Sequence, residues 1–328
     1  MSFQVVPLLP DTEMDHYKGY AKLYSRLIDT TIDVDQTASE VKEARIEKNK
    51  EFKSRGISYP KNLFVVYSKT EAIGYGHFQP NLDKNLNEFE SHAYAVIYTE
   101  TQNIVLEQFI HKKLIEYAQE LPGLEVIFYF VESDHDIDNY IARGGELVEK
   151  GYEYILNLQN INRSRVVQLA NLDGLEVEIL DTLENDTLEP FLQVYNKSKA
   201  EEPQGKSTRE FHPVTLEDMV EAFSNINYRN IVALACFNGQ PAGISHFGLI
   251  ENRKFVYQRM TGVDPALWGK GIGTAIKAQC VLWIQEKYPD YLYVLTEVLD
   301  ENLSMKKVNE KLGFQPDVMQ VTIEFTLK

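Results

Sequence analysis

Short runs of aromatic and β-branched residues predict strands at 64–67, 72–78 and 94–98, with Lys69-Thr70-Glu71 turning the chain between the first two. Residues 3–9 alternate weakly and read as a further strand. Between these runs the apolar period lengthens to that of a helix. Residues 11–30 carry aromatic and aliphatic side chains at helical spacing, and over 103–118 Ile104, Phe109, Leu114 and Tyr117 mark the apolar side of an amphipathic helix. Residues 39–55 interleave Glu and Lys, as on a solvated helix face. A strongly apolar strand at 124–131 suits burial on both faces. A short helix at 136–143 is ended by Gly144-Gly145, and a strand follows at 152–158. Residues 160–173 are polar and without period, and read as a linker.

After the linker the same order returns. A strand at 175–179 precedes helices at 188–199 and 215–223, the second with Thr215 as its cap. Strands at 231–237 and 242–249 are joined by the hairpin signal Asn238-Gly239. A strand at 255–263, a helix at 272–288, a strand at 291–298, a helix at 302–311 and a strand at 319–326 complete the chain. The two series superimpose at a near-constant offset, with Gly76-His77-Phe78 facing Ser245-His246-Phe247 and Gly144-Gly145 facing Leu312-Gly313. The expectation is an α/β (mixed α+β) chain of two tandem copies, 1–165 and 166–328, each a mixed, mostly antiparallel sheet flanked by helices.

The chemistry concentrates in residues 263–274, VDPALWGKGIGT, between an alternating strand and a helix. A glycine loop at a helix N-terminus offers free backbone N–H groups and the positive end of the helix dipole, both suited to a pyrophosphate. Gly271 follows Lys270 where a nucleotide P-loop needs Ser or Thr, and Thr274 stands where the dinucleotide fingerprint needs its third glycine. The run Trp268-Gly269-Lys270-Gly271-Ile272-Gly273 instead resembles the acyl-coenzyme A loop of the GNAT acetyltransferases, with Trp268 where that family usually has Gln or Arg. A second run, Asn302 through Leu312-Gly313-Phe314, resembles the same family's Asn, helix and Leu-Gly-Phe signature, in the right order and with a strand between.

The resemblance implies an acetyl-coenzyme A-dependent N-acetyltransferase, in which the primary amine of a small molecule attacks the thioester directly in a ternary complex. It implies pyrophosphate binding by Lys270, Gly271, Ile272, Gly273 and Thr274. Pantetheine pairing falls to the backbone of Thr261, Gly262 and Val263, and further cofactor contacts to Asn302 and Asn309. Asn309 occupies the place where many members carry a tyrosine beside the departing sulfur, and an amide cannot supply a proton. Tyr257 is the candidate acid, its parity placing it on the face of Val263, or else a sheet-packing aromatic. Glu297 is the candidate base, or a structural carboxylate. His246 reads as a core histidine. Glu201, Glu202, Glu210 and His212 lie in a loop expected to cover the acceptor. A non-catalytic acyl-coenzyme A sensor or scaffold is the rival reading.

In the first copy the loop is altered. Lys270, Gly271, Ile272 and Gly273 face Gln102, Asn103, Ile104 and Val105, so both glycines are gone. The expectation is a first domain that kept the fold and lost the cofactor site.

Composition narrows the class further. A net charge of −16 argues against a nucleic-acid partner and accords equally with a cationic amine substrate and with simple solubility, the commoner reason for such a charge. Two cysteines, Cys236 and Cys280, form no framework, and seven histidines form no ligand-like cluster, so no metal is expected. With no apolar run of membrane length and no basic leader, the sequence predicts a cytoplasmic protein, monomeric or a homodimer, without a membrane partner.

Overall fold

The computed structural model describes residues 3–327 apart from 29, 83–87, 102, 182–184, 204, 207–210, 225–228 and 252. The chain divides into a first unit, Met1–Val148 with Thr322–Lys328, and a second, Glu149–Val321. The sequence placed the boundary at 165/166. The difference arises at the two strands that close the copies, and it matters for the site.

In the first unit, β1 (Gln4–Pro7), β2 (Leu63–Ser68), β3 (Glu71–Leu82) and β4 (Phe89–Thr99) pair antiparallel in sequence order, and β5 (Val126–Val131) joins β4 in parallel. The helices are α1 (Met14–Leu27), α2 (Val34–Ser54), α3 (Ile104–Ala118) and α4 (Asp134–Ala142). The charged run read as a solvated face is α2, capped by Asp33, and it buries Ala38, Arg45 and Phe52, one residue every two turns. Arg45 is tolerated inside because its guanidinium donates to the Leu8 carbonyl and to Asn62 Oδ1 (2.8 Å). The C-terminal residues close this unit: Leu327 N–H donates to the Glu125 carbonyl (2.7 Å), and Phe325 packs on His111, Tyr129 and Tyr140.

The second unit begins within β6 (Glu146–Asn157), whose residues from Glu149 on belong to it. Its further strands are β7 (Leu175–Leu180), β8 (Arg229–Phe237), β9 (Gln240–Ile250), β10 (Phe255–Val263), β11 (Tyr293–Leu299) and β12 (Gln315–Thr326), the last passing to the first unit at Thr322. Strand order runs β6-β11-β10-β9-β8-β7, with β10 and β11 parallel and the other neighbours antiparallel. On one face lie α5 (Arg163–Ala170), α8 (Ile272–Lys287) and α9 (Leu303–Leu312), over a core that includes Leu156, Phe247, Val256, Ile276, Val294 and Phe314. On the other lie α6 (Asn185–Ala200) and α7 (Leu216–Ser224), over Phe191, Val194, Met219, Val232 and Ile244. Thr215 caps α7 as expected, accepting from Asp218 N–H, and also donates its hydroxyl to the Asp218 carboxylate.

The expected linker needs correcting. The linker at 160–173 contains α5, which Asn162 caps and which buries Val166 and Ala170, one turn apart, beneath a polar exterior. An eight-residue helix carrying two buried positions is too short to show a period.

Candidate functional site

The chain enters α8 through a single 3-10 turn, Pro265–Leu267, and a loop with two glycines in the left-handed region, Gly269 (φ +80°) and Gly271 (φ +84°). Asp264 opens the turn by accepting from Ala266 N–H (3.0 Å) and pairs with Lys197 of α6 (2.7 Å), which holds its carboxyl below the usual range. Trp268, the departure from the family pattern, donates its indole N–H to the Val263 carbonyl (3.0 Å) and so clips the loop to the end of β10. A side chain at Gly269 or Gly271 would meet nothing within 4 Å, whereas one at Gly273 would meet Val263 Cγ2 at 3.3 Å. The loop is therefore open toward solvent and tight toward the sheet. Lys270 is exposed, with its ammonium 5.4 Å from the Phe237 ring.

Gly271 is the N-cap of α8 and supplies no side chain to it, so the first N–H groups of that helix keep their donors. Asn103 stands at the same place on α3. Its Oδ1 accepts from Val105 N–H (3.1 Å) and Leu106 N–H (3.2 Å), and the Val105 side chain projects 61% exposed. One helix end is left for an anion; the other is satisfied by its own chain. Gln102 lies outside the described residues.

Above α8 the sheet opens. β10 and β11 pair only from Phe255/Tyr293 to Tyr257/Leu295, and beyond that the backbone of β10 pairs on the β9 side alone. Thr296 Oγ1 donates to the Gln258 carbonyl (3.1 Å) at the fork. A bulge falls between Gln258 and Met260 and inserts Arg259. A one-residue insertion reverses parity. Thr261 and Val263 consequently face the α8 side, nearest a side chain built at Gly273, while Met260 and Gly262 face Ser198 of α6. Val263 packs on the core beneath α8, whereas Tyr257, between the core residues Val256 and Gln258, points the other way. The expectation that Tyr257 and Val263 share a face is thus overturned by the bulge, which no alternation in the sequence reveals.

On the α8 side below the fork, Gln258 Nε2 donates to Ser245 (3.1 Å) and to Thr261, and Ser245 Oγ lies 2.7 Å from Thr261 Oγ1. The Thr261 side chain is committed to this seam. Gln258 Oε1 is buried without a partner.

On the opposite face stand Tyr257, half-buried, and Glu297, exposed. Burial first, then a hydrogen bond to Glu297, push the Tyr257 phenol far above its ordinary value, with the field of Glu153 adding to it. Arg259 lies in the fields of Glu297 and of Tyr195 on α6. Sequence reasoning missed Glu153, since it counted β6 with the first copy. His246 is a core histidine: its Nε2 is 2.7 Å from Asn230 Oδ1, and burial lowers it to about 4. In the covering loop Glu202 pairs with Lys199, Glu201 and His212 are exposed, and Glu210 lies outside the described residues.

Asn302 caps α9 by accepting from Met305 N–H (3.0 Å). Asn309 is fully buried. Its Oδ1 accepts from Lys277 of α8, whose amine is also fully buried, 4.3 Å from the Phe314 ring, while its Nδ2 has no partner. Burial holds Lys277 well below its ordinary 10.5. The unfolded chain then carries a proton that the folded one lacks, so stability rises with pH from the folded value up to the unfolded one. Lys277→Met is expected to flatten the pH dependence of unfolding by about 1.4 kcal/mol per pH unit just below the unfolded lysine value of about 10.4, read by denaturant melts from pH 8 to 10. An unchanged slope would show the amine to be charged in the fold.

A crevice of about 420 Å³ opens at the far end of β11, lined by Tyr293, Leu312, Arg165 and Lys311 among others, away from the glycine loop and Glu297. Among the described residues no group of acidic, His and Cys side chains is placed to hold a metal, and no helix is long and apolar enough to cross a membrane.

Residues 191–314 match the Acetyltransferase (GNAT) family. Over the full chain the fold is similar to that of a tandem GNAT protein from the clavulanic acid biosynthesis pathway, at 15% identity, with 100% of this chain and 99% of that one covered and a TM-score of 0.69. It is also similar to a GCN5-related N-acetyltransferase from Sphaerobacter thermophilus, at 11% identity, 99% and 96% coverage and a TM-score of 0.65. No curated protein matches the sequence.

Proposed function

This chain carries an acetyltransferase (GNAT) domain within a tandem GNAT fold, and from that premise we propose that the second unit transfers an acetyl group from acetyl-coenzyme A to the primary amine of a small molecule. The observation that carries the proposal is the uncapped N-terminus of α8 behind Gly271, set beside the fork where β10 leaves β11.

The residues present fit the cosubstrate. The left-handed Gly269 and Gly271 leave open space where a pyrophosphate approaches the backbone. Gly271, Ile272, Gly273 and Thr274 bring main-chain N–H groups to it, and Lys270 adds a mobile charge. The fork leaves the backbone of Thr261, Gly262 and Val263 unpaired toward β11, in the manner of a sheet edge that accepts an added strand. Gln258 Oε1 and Asn309 Nδ2, a buried acceptor and a buried donor without partners, sit in the half of the unit that faces α8 and α9. Asn302, spent on its helix cap through Oδ1, keeps its amide N–H groups for the cofactor.

Acetyl-coenzyme A supplies an acyl carbon whose bond to sulfur breaks as the amine nitrogen bonds to it. Glu297 takes one proton from the ammonium, directly or through one water, and passes it to solvent; the second proton, shed by nitrogen as the new bond forms, leaves with the sulfur as a thiol. Tyr257 holds its own proton at neutral pH and donates to Glu297, so it aims the base. A backbone N–H of β10 past the bulge receives the developing oxyanion. The first unit, its α3 end closed by Asn103, binds no cofactor.

Calorimetric titration of the whole chain with acetyl-coenzyme A is expected to give one site per chain, and a panel of primary amines to reveal turnover. Two sites would overturn the account of Asn103. The sensor reading is favoured by one observation, the burial of Asn309 where the family carries a tyrosine; binding without turnover on any amine would select it.

A further inference from the structure

The crevice at the far end of β11, about 420 Å³, is lined only by residues of the second unit, and acetyl transfer makes no use of it. Its floor is apolar: Leu156 of β6, Val166 of α5 and Leu312 of α9 line it, each at most 3% exposed, with Ile161 half-buried beside them. Its rim is polar and carries Arg165, Tyr293 and Lys311, all exposed. Among the described residues no acidic side chain lines it, although the chain as a whole has a net charge of −16. Nor does the guanidinium of Arg165 or the ammonium of Lys311 have an ion-pair or hydrogen-bond partner among the described residues, whereas Arg163, two positions away, donates to Gln285. The negative end of the α9 dipole is blunted beside Lys311, because the Asn309 and Glu310 carbonyls already accept from Phe314 N–H (3.0 Å) and Gly313 N–H (3.1 Å).

We propose that this crevice is a second ligand site, for a small carboxylate with an apolar body, its chain on Leu156, Val166 and Leu312 and its head at Arg165 and Lys311. Floor and rim each narrow the class. A bare inorganic anion would satisfy the two cations but leave the apolar floor in water, and a neutral apolar molecule would cover the floor but leave both cations unmatched. Arginine presents a planar fork that fits a carboxylate, and lysine adds a point charge. The volume falls in the range of about 300–1,000 Å³ over which small-molecule sites occur, so the occupant is a small molecule. The site is distinct from that of the cosubstrate. Tyr293 opens β11 and pairs with Phe255, at the end of the two strands where they are joined, and the fork lies beyond Leu295.

The test is calorimetry on the full chain with sodium octanoate, made with coenzyme A present in excess so that the thioester cleft is filled. Octanoate is expected to bind at one site per chain with a dissociation constant of about 1 mM or below. Two comparison probes divide the molecule: 1-octanol keeps the body without the charge, and acetate keeps the head without the body. Each is expected to bind at least about tenfold more weakly than octanoate. A chain carrying both Arg165→Gln and Lys311→Gln is expected to lose at least about tenfold in octanoate affinity. Its melting temperature should stay within about 2 °C, because both side chains are exposed and neither has a partner to lose. Its affinity for acetyl-coenzyme A should be unchanged. No octanoate binding up to about 10 mM, equal binding of octanol and octanoate, or an octanoate affinity that survives the double substitution overturns the proposal.

Discussion

Gly271→Glu is expected to weaken acetyl-coenzyme A binding by at least about 100-fold, some 2.8 kcal/mol, while the protein stays folded. Three features set that size. A non-glycine residue at φ +84° costs about 1–2 kcal/mol, which lowers the melting temperature by only a few degrees. The added side chain meets no neighbour within 4 Å, so the core does not move. It does project into the space in front of the α8 N-terminus, where its carboxylate takes the favourable end of the dipole and repels a pyrophosphate. Gly271→Asn separates charge from strain. Asparagine tolerates the left-handed region better than most residues and carries no charge, so it should lose about tenfold or less. Titration of both variants against acetyl-coenzyme A decides the matter, and equal affinities for Gly271→Glu and the unsubstituted protein would move the cofactor away from this loop.

Glu297→Gln is expected to lower kcat about 10²–10³-fold near neutral pH with acetyl-coenzyme A affinity unchanged. An amide is nearly isosteric with the carboxylate and still accepts from Tyr257, so positioning survives and only proton acceptance is lost. The variant's rate should then follow the fraction of free amine, rising about tenfold per pH unit below the amine's own pKa. The unsubstituted enzyme, with its own base, should show a shallower slope. A pH–rate profile of the two proteins on one amine makes the comparison. A loss of less than threefold would place the base elsewhere on this face, and Glu153 would be the next group to replace.

Much of this site is written locally. The glycine loop, the strand before it, the helix after it and the cap at Asn302 depend on residues within a few positions of one another, where glycine and asparagine have strong conformational meaning. So does the contrast between Gly271 and Asn103, since capping is a contact of three residues' reach. The parts that sequence reasoning missed depend on pairing. The bulge at Arg259 is a property of two strands, and it sends Tyr257 and Val263 to opposite faces. β6 was legible as a strand, but nothing in its own residues says that β11 is its neighbour, so Glu153 stayed hidden. The burial of Lys277 against Asn309 joins two helices and contradicts the ordinary habit of lysine. Helix α5 was hidden for a different reason, having too few turns for its period to rise above its polar surface.

The division of the chain also orders its manufacture. A ribosome delivers residues from the N-terminus at about 5–20 per second, and domains generally fold as they emerge. Here the first unit emerges early but counts the residues from Thr322 onward among its own, with Phe325 against Tyr129 and Leu327 bonded to Glu125. Those residues are made only after the whole of the second unit. The second unit has all its residues by Val321. The unit that is begun first is therefore completed after the second, and a nascent chain stalled at Val321 holds every residue of the second unit while the first still lacks Phe325 and Leu327.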